Sequence, residues 1–201
     1  MSKPKIALVI GSVRLNRFAD KPAAWFKDIA DRRDDLEVEI VDLRDYPLPH
    51  FEEVASSLYV PPASEVAQRW QKLVETYDGF VFTAAEYSRG PTGVLKNALD
   101  YAYTEWNRKP AAFIGYGGVG GARAVEQLRL HAIELQMVPI RNAVHIVWAD
   151  MAQVAAGTKT LAEFDHLNAA ANATLDELAW WAKLLKTARA EDALNAAAKA
   201  A

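Results

Sequence analysis

Cysteine is absent from the 201-residue sequence, which excludes disulfides, thiol nucleophiles, thiolate zinc sites and cysteine-held iron–sulfur clusters. Histidine is scarce, and none of the four has a carboxylate–histidine spacing that suggests a metal, so His131 in a helix and His145 in a strand are expected to be structural and no metal is expected. Long hydrophobic runs are also lacking. The amino-terminal stretch MSKPKIALVIGS carries an apolar run of about five residues, too short for a signal segment or a membrane span. A cytoplasmic protein with no membrane partner is therefore expected. Neither sign of charge dominates: 23 basic and 26 acidic side chains give a formal net charge of -3. Without a long cationic run there is no electrostatic footprint for nucleic acid, and any phosphate site must be local.

What is present suits a single packed domain. The sequence is 51% hydrophobic with six tryptophans, and no repeat or low-complexity linker divides it. Residues 5–10 (KIALVI) form an apolar run that stops at Gly11-Ser12, as a buried strand would. A helix is expected from about Asp20, since Pro22 is tolerated only near a helix start. Residues 36–41 (LEVEIV) alternate like an edge strand, and the proline-bearing stretch 42–62 reads as a long surface connection. A helix capped by Ser64 follows, then an apolar strand at 80–83 that ends in Ala84-Ala85. Thr92 stands where an N-cap would open the next helix, whose stripe is Val94, Leu95, Ala98, Leu99, Ala102 and Trp106.

Residues 111–116 (AAFIGY) predict a fourth strand running into Gly117-Gly118-Val119-Gly120-Gly121. Helical spacing then covers 121–136, and 138–147 predicts a fifth strand interrupted by Pro139. Residues 149–160 read as a loop and the stripe from Phe164 to Leu185 as a last helix. This divides the chain into a domain at 1–188 and an alanine-rich tail at 189–201, expected to fray. Five strands alternating with helices predict an α/β fold, a parallel sheet of order 2-1-3-4-5 covered on both faces. In that order the loops after strands 1, 3 and 4 meet along one carboxyl edge, where open α/β sheets bind ligands.

Each of those loops has two readings. Ser12, Arg14, Arg17 and the free amides of the coming helix suit a phosphate monoester, or the loop is a turn with solvated arginines. Glu86 to Thr92 offers main-chain amides and the faces of Tyr87 and Pro91 to a planar ligand, or Tyr87 plugs the sheet end. The glycine pairs allow close approach of backbone to a ligand, or tight helix–sheet packing.

As a set, GSVRLNR, EYSRGPTGVLKNALDY and YGGVGGARAVEQLR resemble the NADPH-dependent FMN reductase family, a flavodoxin-like group that includes FMN, quinone and chromate reductases and some azoreductases. The resemblance spans about residues 5–147. It implies a flavodoxin-like three-layer sandwich, FMN as cofactor and NADPH or NADH as co-substrate. For the FMN phosphate it implies Ser12, Arg14, Arg17 and the Phe18 amide. Ala85, Glu86, Tyr87 and Ser88 are implied to lie along the flavin ring, and Tyr116, Gly117 and Gly118 at its pyrimidine side, where the Gly117 and Gly118 amides would stabilise the charge of the reduced ring. Ala85 and Ser88 depart from the family's usual Pro and Asn, and Thr92-Gly93 from its Pro-Gly. The implied activity is hydride transfer from NAD(P)H through FMN to a flavin, quinone or similar small acceptor by a ping-pong route, with no catalytic side chain assigned. A non-enzymatic flavin- or phosphate-binding protein is the alternative from another class. A homodimer or homotetramer is implied as well.

Overall fold

The computed structural model describes residues 2–200. Four long parallel strands form its centre: β1 (Lys5–Ile10), β2 (Glu37–Asp42), β3 (Gly79–Ala85) and β4 (Pro110–Tyr116). Two short ones, β5 (Val138–Pro139) and β6 (Val144–Ile146), both pair with β4, the first near its start and the second near its end. The order is β2-β1-β3-β4-β5, the one expected. The single fifth strand predicted at 138–147 is instead these two pieces. Pro139 removes a ladder donor, and Glu177 of the last helix takes the amides of Arg141 and Asn142 at 3.1 and 2.8 Å, drawing the chain off the sheet.

Because strand side chains alternate between faces, each strand feeds two cores. Ile6, Leu8, Val81, Ala112 and Ile114 pack under α1 (Asp20–Ala30), α5 (Trp148–Ala155) and α6 (Asp165–Ala200). Ala7, Val9, Phe80, Phe82 and Phe113 pack under α2 (Glu65–Glu75), α3 (Gly93–Asp100) and α4 (Ala122–Glu134). The second core is aromatic. Trp106 stands edge-on to Phe80 with ring centres 4.7 Å apart and near Trp70 at 6.0 Å, pairs worth about 0.5–1.5 kcal/mol each beyond area burial.

One sequence expectation meets a different arrangement. Where a loop was expected at 149–160, residues 148–155 form α5. Only Met151 and Val154 of that helix face the core, too short an apolar stripe for a helical period to register. Its stop signal is Gly157 at φ 70, whose amide closes on the Val154 carbonyl. Residues 189–200 of the expected tail continue α6 as helix, and Ala201 lies outside the described residues. Alanine is the best helix former, and Arg189 anchors the turn by donating to Asp78 and to the Arg108 carbonyl, both at 2.7 Å. In the connection expected at 42–62, Asp42 ends β2 and Leu43 is buried in the second core, while most of 49–61 is exposed and is held by Asn97 of α3, which donates to the Pro49 carbonyl and accepts from the Phe51 amide.

Candidate active site

At the carboxyl edge of the sheet the three loops after β1, β3 and β4 meet. Ser12, Arg14, Arg17, Phe18, Ala85, Glu86, Tyr87, Tyr116 and Gly117 line one half-open cavity of about 160 Å³. Of the sequence-predicted residues only Ser88 and Gly118 lie outside that lining, each next to a residue within it. Met151 of α5 completes the wall; sequence reasoning missed it because its helix was read as a loop, and the Gly157 stop was the signal that would have found it.

The first loop is pinned at its root. The Gly11 amide donates to Thr83 Oγ1 at 3.0 Å, and Thr92, the N-cap of α3, accepts from the Leu95 amide at 3.2 Å while its hydroxyl donates to the Gly11 carbonyl. A Cβ at Gly11 would stand 2.4 Å from the Thr83 carbonyl oxygen, so no other residue fits there. Beyond this root the chain swings outward, and among the described residues the backbone amides of 12–18 find no acceptor in the protein. Several belong to exposed residues that water reaches, and they stand as open donors leading into α1, an arrangement that attracts an anion.

The two arginines of this loop differ. The Arg17 side chain is only 4% exposed, and its guanidinium is filled by protein: Asp42 bidentately at 2.5 and 2.6 Å, Asp20 at 2.8 Å and the Ser12 carbonyl at 2.8 Å. Burial opposes the charge on Asp42, yet the Arg17 guanidinium holds its carboxyl below the usual carboxylate range. Arg17 thus braces the loop against the end of β2. Arg14 is exposed, lines the cavity, and has no side-chain partner among the described residues.

The second loop is a two-residue hairpin. Tyr87 and Gly90 exchange backbone bonds, both at 2.9 Å, around Ser88 at φ 48 and Arg89 at φ 69. With the Glu86 amide donating to the Tyr116 carbonyl as well, the main-chain donors expected at 86 and 87 are already engaged. The Glu86 carboxylate is engaged by α4. Its side chain is 4% exposed, accepts from the Arg123 amide at 3.1 Å and from Arg123 Nε at 2.6 Å, and so caps α4 from a neighbouring strand. Tyr87 leans across the cleft, its hydroxyl 3.5 Å from Ser12 Oγ.

In the glycine loop the packing reading holds at two of the four glycines. Gly120 and Gly121, at φ 68 and 67, satisfy helix–sheet packing: a Cβ on Gly121 would come within 2.5 Å of the Tyr116 amide nitrogen, and one on Gly120 within 2.9 Å of His145 Cβ. His145 Nδ1 also meets the Gly120 carbonyl at 2.9 Å, a structural contact. Gly118 differs. It is exposed, and a Cβ there would meet nothing within 4 Å, so the protein's own packing does not require a glycine. The Gly117 amide is used by the Ile146 carbonyl at 3.3 Å, and the Gly118 amide has no partner among the described residues. Beneath them lies Tyr116, packed at 5.5 Å against Phe18, with its buried hydroxyl unpartnered. Burial pushes that hydroxyl's pKa upward, so it keeps its proton and remains a donor.

Among the described residues no group of three or more His, Asp or Glu side chains is placed to hold a metal, and no helix is long and apolar enough to cross a membrane.

Comparison with known proteins gives a consistent set of relatives. Residues 4–150 match the family described as NADPH-dependent FMN reductase. An NAD(P)H-dependent FMN reductase from a Nectria species is 40% identical over 139 residues, covering 66% of this chain and 69% of the relative. A 2-hydroxy-1,4-benzoquinone reductase from a Burkholderia species is 35% identical over 132 residues, covering 62% and 68%. Among solved structures, the flavoenzyme NAD(P)H:(acceptor) oxidoreductase of Paracoccus denitrificans superposes with a TM-score of 0.71 at 25% identity, covering 90% of this chain and 97% of that one.

Proposed function

The chain belongs to the NADPH-dependent FMN reductase family, and from that premise we propose that it is a cytoplasmic flavin enzyme that draws electrons from NADPH or NADH and delivers them to a quinone, flavin or similar small acceptor. The relatives carry the oxidoreductase assignment and the cofactor pair. The observation that carries the site is the set of groups left unsatisfied at one cleft: the buried Tyr116 hydroxyl, the amides of 12–18 and the open Gly118. A phosphorylated planar ligand supplies acceptors for all the donors, so the residues present fit FMN.

In this proposal the amides of 12–18 and Arg14 hold the phosphate, with Ser12 adding a hydroxyl. Arg17 keeps the loop in shape through Asp42. Tyr87 and Ala85 flank the ring, Tyr116 donates a proton-bearing hydroxyl toward it, and the Gly118 amide faces the side where negative charge collects. When bound, FMN supplies the redox chemistry, accepting two electrons from NAD(P)H and passing them to a second substrate in the same cleft, a ping-pong sequence. No side-chain acid or base is needed for this. The cavity of about 160 Å³ is below the roughly 300 Å³ at which ligand pockets begin, which suits a cleft that grips a phosphate end and leaves a planar head accessible to two successive partners. The proposal includes a dimer or tetramer, supported by Leu130 and Ile133 standing exposed on α4.

The test is the absorption spectrum of the purified protein, reconstituted with FMN, before and after anaerobic NADPH. Flavin bands that bleach within turnover time are the expected result. Bound FMN that NADPH leaves unbleached would favour a binding protein, and failure to take up FMN would sink both readings.

A further inference from the structure

Two arginines, Arg14 and Arg17, line the cleft, three more, Arg44, Arg89 and Arg123, bond to or belong to its loops, and the protein's own bonds sort them. Arg17 is filled by Asp42, Asp20 and the Ser12 carbonyl. Arg44 donates to the carbonyls of Arg14 and Leu15. Arg123 is paired with Glu86. Two guanidinium groups have no partner among the described residues: Arg14, at the first loop, and Arg89, at the tip of the hairpin that carries Tyr87.

Arg89 occupies an uncommon place. Both central residues of its turn have positive φ, 48 at Ser88 and 69 at Arg89, the geometry for which Asn-Gly is the preferred pair. An L-residue with a long side chain is strained there, and such strain persists where surroundings enforce it and collects at functional sites. The surroundings do enforce it. Tyr87 and Gly90 close the turn with two backbone bonds, and Gln127 Nε2 of α4 donates to the Arg89 carbonyl at 2.7 Å. The backbone is fixed while the side chain is exposed and free. No contact within the protein accounts for a charge at a position that suits glycine.

We propose that Arg89 binds a phosphate of the incoming pyridine dinucleotide at the mouth of the cleft. This rests on the oxidoreductase reading above and adds to it the residue that recognises the electron donor. The logic is one of allocation: Arg14 lines the cleft with the free amides of the first loop, where one phosphate is already provided for, whereas Arg89 lies outside that lining, exposed, on the hairpin whose Tyr87 forms part of it. A planar guanidinium fork matches a phosphate bidentately.

The experiment compares wild type with R89G, loaded with FMN, by steady-state KM and kcat for NADPH and for NADH. It adds calorimetric binding of NADP+ and a thermal unfolding midpoint. Removal of the charge is expected to raise KM and the NADP+ dissociation constant about tenfold, the equivalent of losing one charge-assisted hydrogen bond, with kcat little changed. The unfolding midpoint should stay level or rise, because glycine relaxes the turn. A KM increase confined to NADPH assigns Arg89 to the 2′-phosphate, and an equal increase with NADH assigns it to the pyrophosphate. Either supports the inference. Unchanged KM and NADP+ affinity in R89G would overturn it, as would a KM increase accompanied by a lower unfolding midpoint, which would make Arg89 a structural residue. Wild type that neither oxidises NADPH nor binds NADP+ would instead remove the oxidoreductase reading on which the inference stands.

Discussion

Glu86 lines the cleft and also holds the start of α4, and E86Q tests the second task. The resemblance places Glu86 along a flavin ring, but its carboxylate is buried against the start of α4, accepting from the Arg123 amide and guanidinium. A hydrogen bond to a charged group contributes about 1.5–3 kcal/mol. Glutamine keeps one acceptor oxygen and the same volume but loses the charge that faces the helix dipole and Arg123. Arg123 is 36% exposed, so its share of the pair is discounted toward the surface value of about 1 kcal/mol or less. The net cost is then about 2 kcal/mol at pH 7, or roughly 4–8 °C in the unfolding midpoint of a chain this size. The pH dependence supplies the sharper test. Burial opposes the Glu86 charge, and the bonds from Arg123 overcome it, so the folded carboxyl titrates below its ordinary 4.5. A depressed folded pKa means stability that is fully present above the unfolded value and is lost as pH falls through the folded one. Glutamine does not titrate. Urea unfolding of both proteins should therefore show the full gap at pH 7 and a closing gap below about pH 4.5. A variant as stable as wild type at pH 7, or a gap that keeps its size into acid, would refute the capping account.

Tyr116 and the glycine loop give three further outcomes. Y116F should leave the flavin-free protein as stable as before or about 1 kcal/mol more so, since it deletes a buried hydroxyl with no partner; FMN affinity, read by fluorescence titration, should fall. G118A should change stability by no more than about 0.5 kcal/mol yet weaken FMN binding, because its methyl would enter space that the protein leaves open and that the proposed function gives to the ligand. G121A should do the reverse in order of damage, losing well over 1 kcal/mol of stability from a Cβ forced within 2.5 Å of the Tyr116 amide nitrogen, as chemical denaturation would show.

Patterns that recur over many residues carried the fold. The apolar runs of β1, β3 and β4 are buried at every or nearly every position, and a run buried on both faces reads as a strand without help from its neighbours. The topology followed from alternation of strand and helix. What escaped was short or conditional. Helix α5 has two core-facing apolar residues, and β5 and β6 separate because a glutamate from α6, more than thirty positions away, claims two amides. In the site, sequence gave the gathering of Ser12, Tyr87 and Tyr116 but not the allocation of their donors. Arg14 and Arg17 look alike in a string of letters. Asp42, which distinguishes them, lies at the end of β2, twenty-five positions beyond Arg17, and becomes visible only when β2 lies beside β1. The four glycines look alike too, though two answer to the helix behind them and Gly118 to the space in front.

The site is best understood by subtraction. Its three loops are tied by bonds the protein makes with itself: Gly11 to Thr83 and Thr92, Arg17 to Asp42, Glu86 to Arg123, Gln127 to Arg89, and His145 to Gly120. These ties fix the loops before any ligand arrives, which lowers the ordering cost of binding. Their second effect is to identify what remains. Buried polar groups without partners are costly in a folded protein, and the Tyr116 hydroxyl in this cleft is one; the amides of 12–18, Arg14 and Arg89 make no bond among the described residues and are available to a ligand in exchange for water. The unpaired set consists entirely of donors. Such a cleft suits a ligand rich in acceptors, phosphoryl oxygens at one end and carbonyl and ring nitrogen atoms at the other, and it offers poor complementarity to a cation or to a purely apolar molecule.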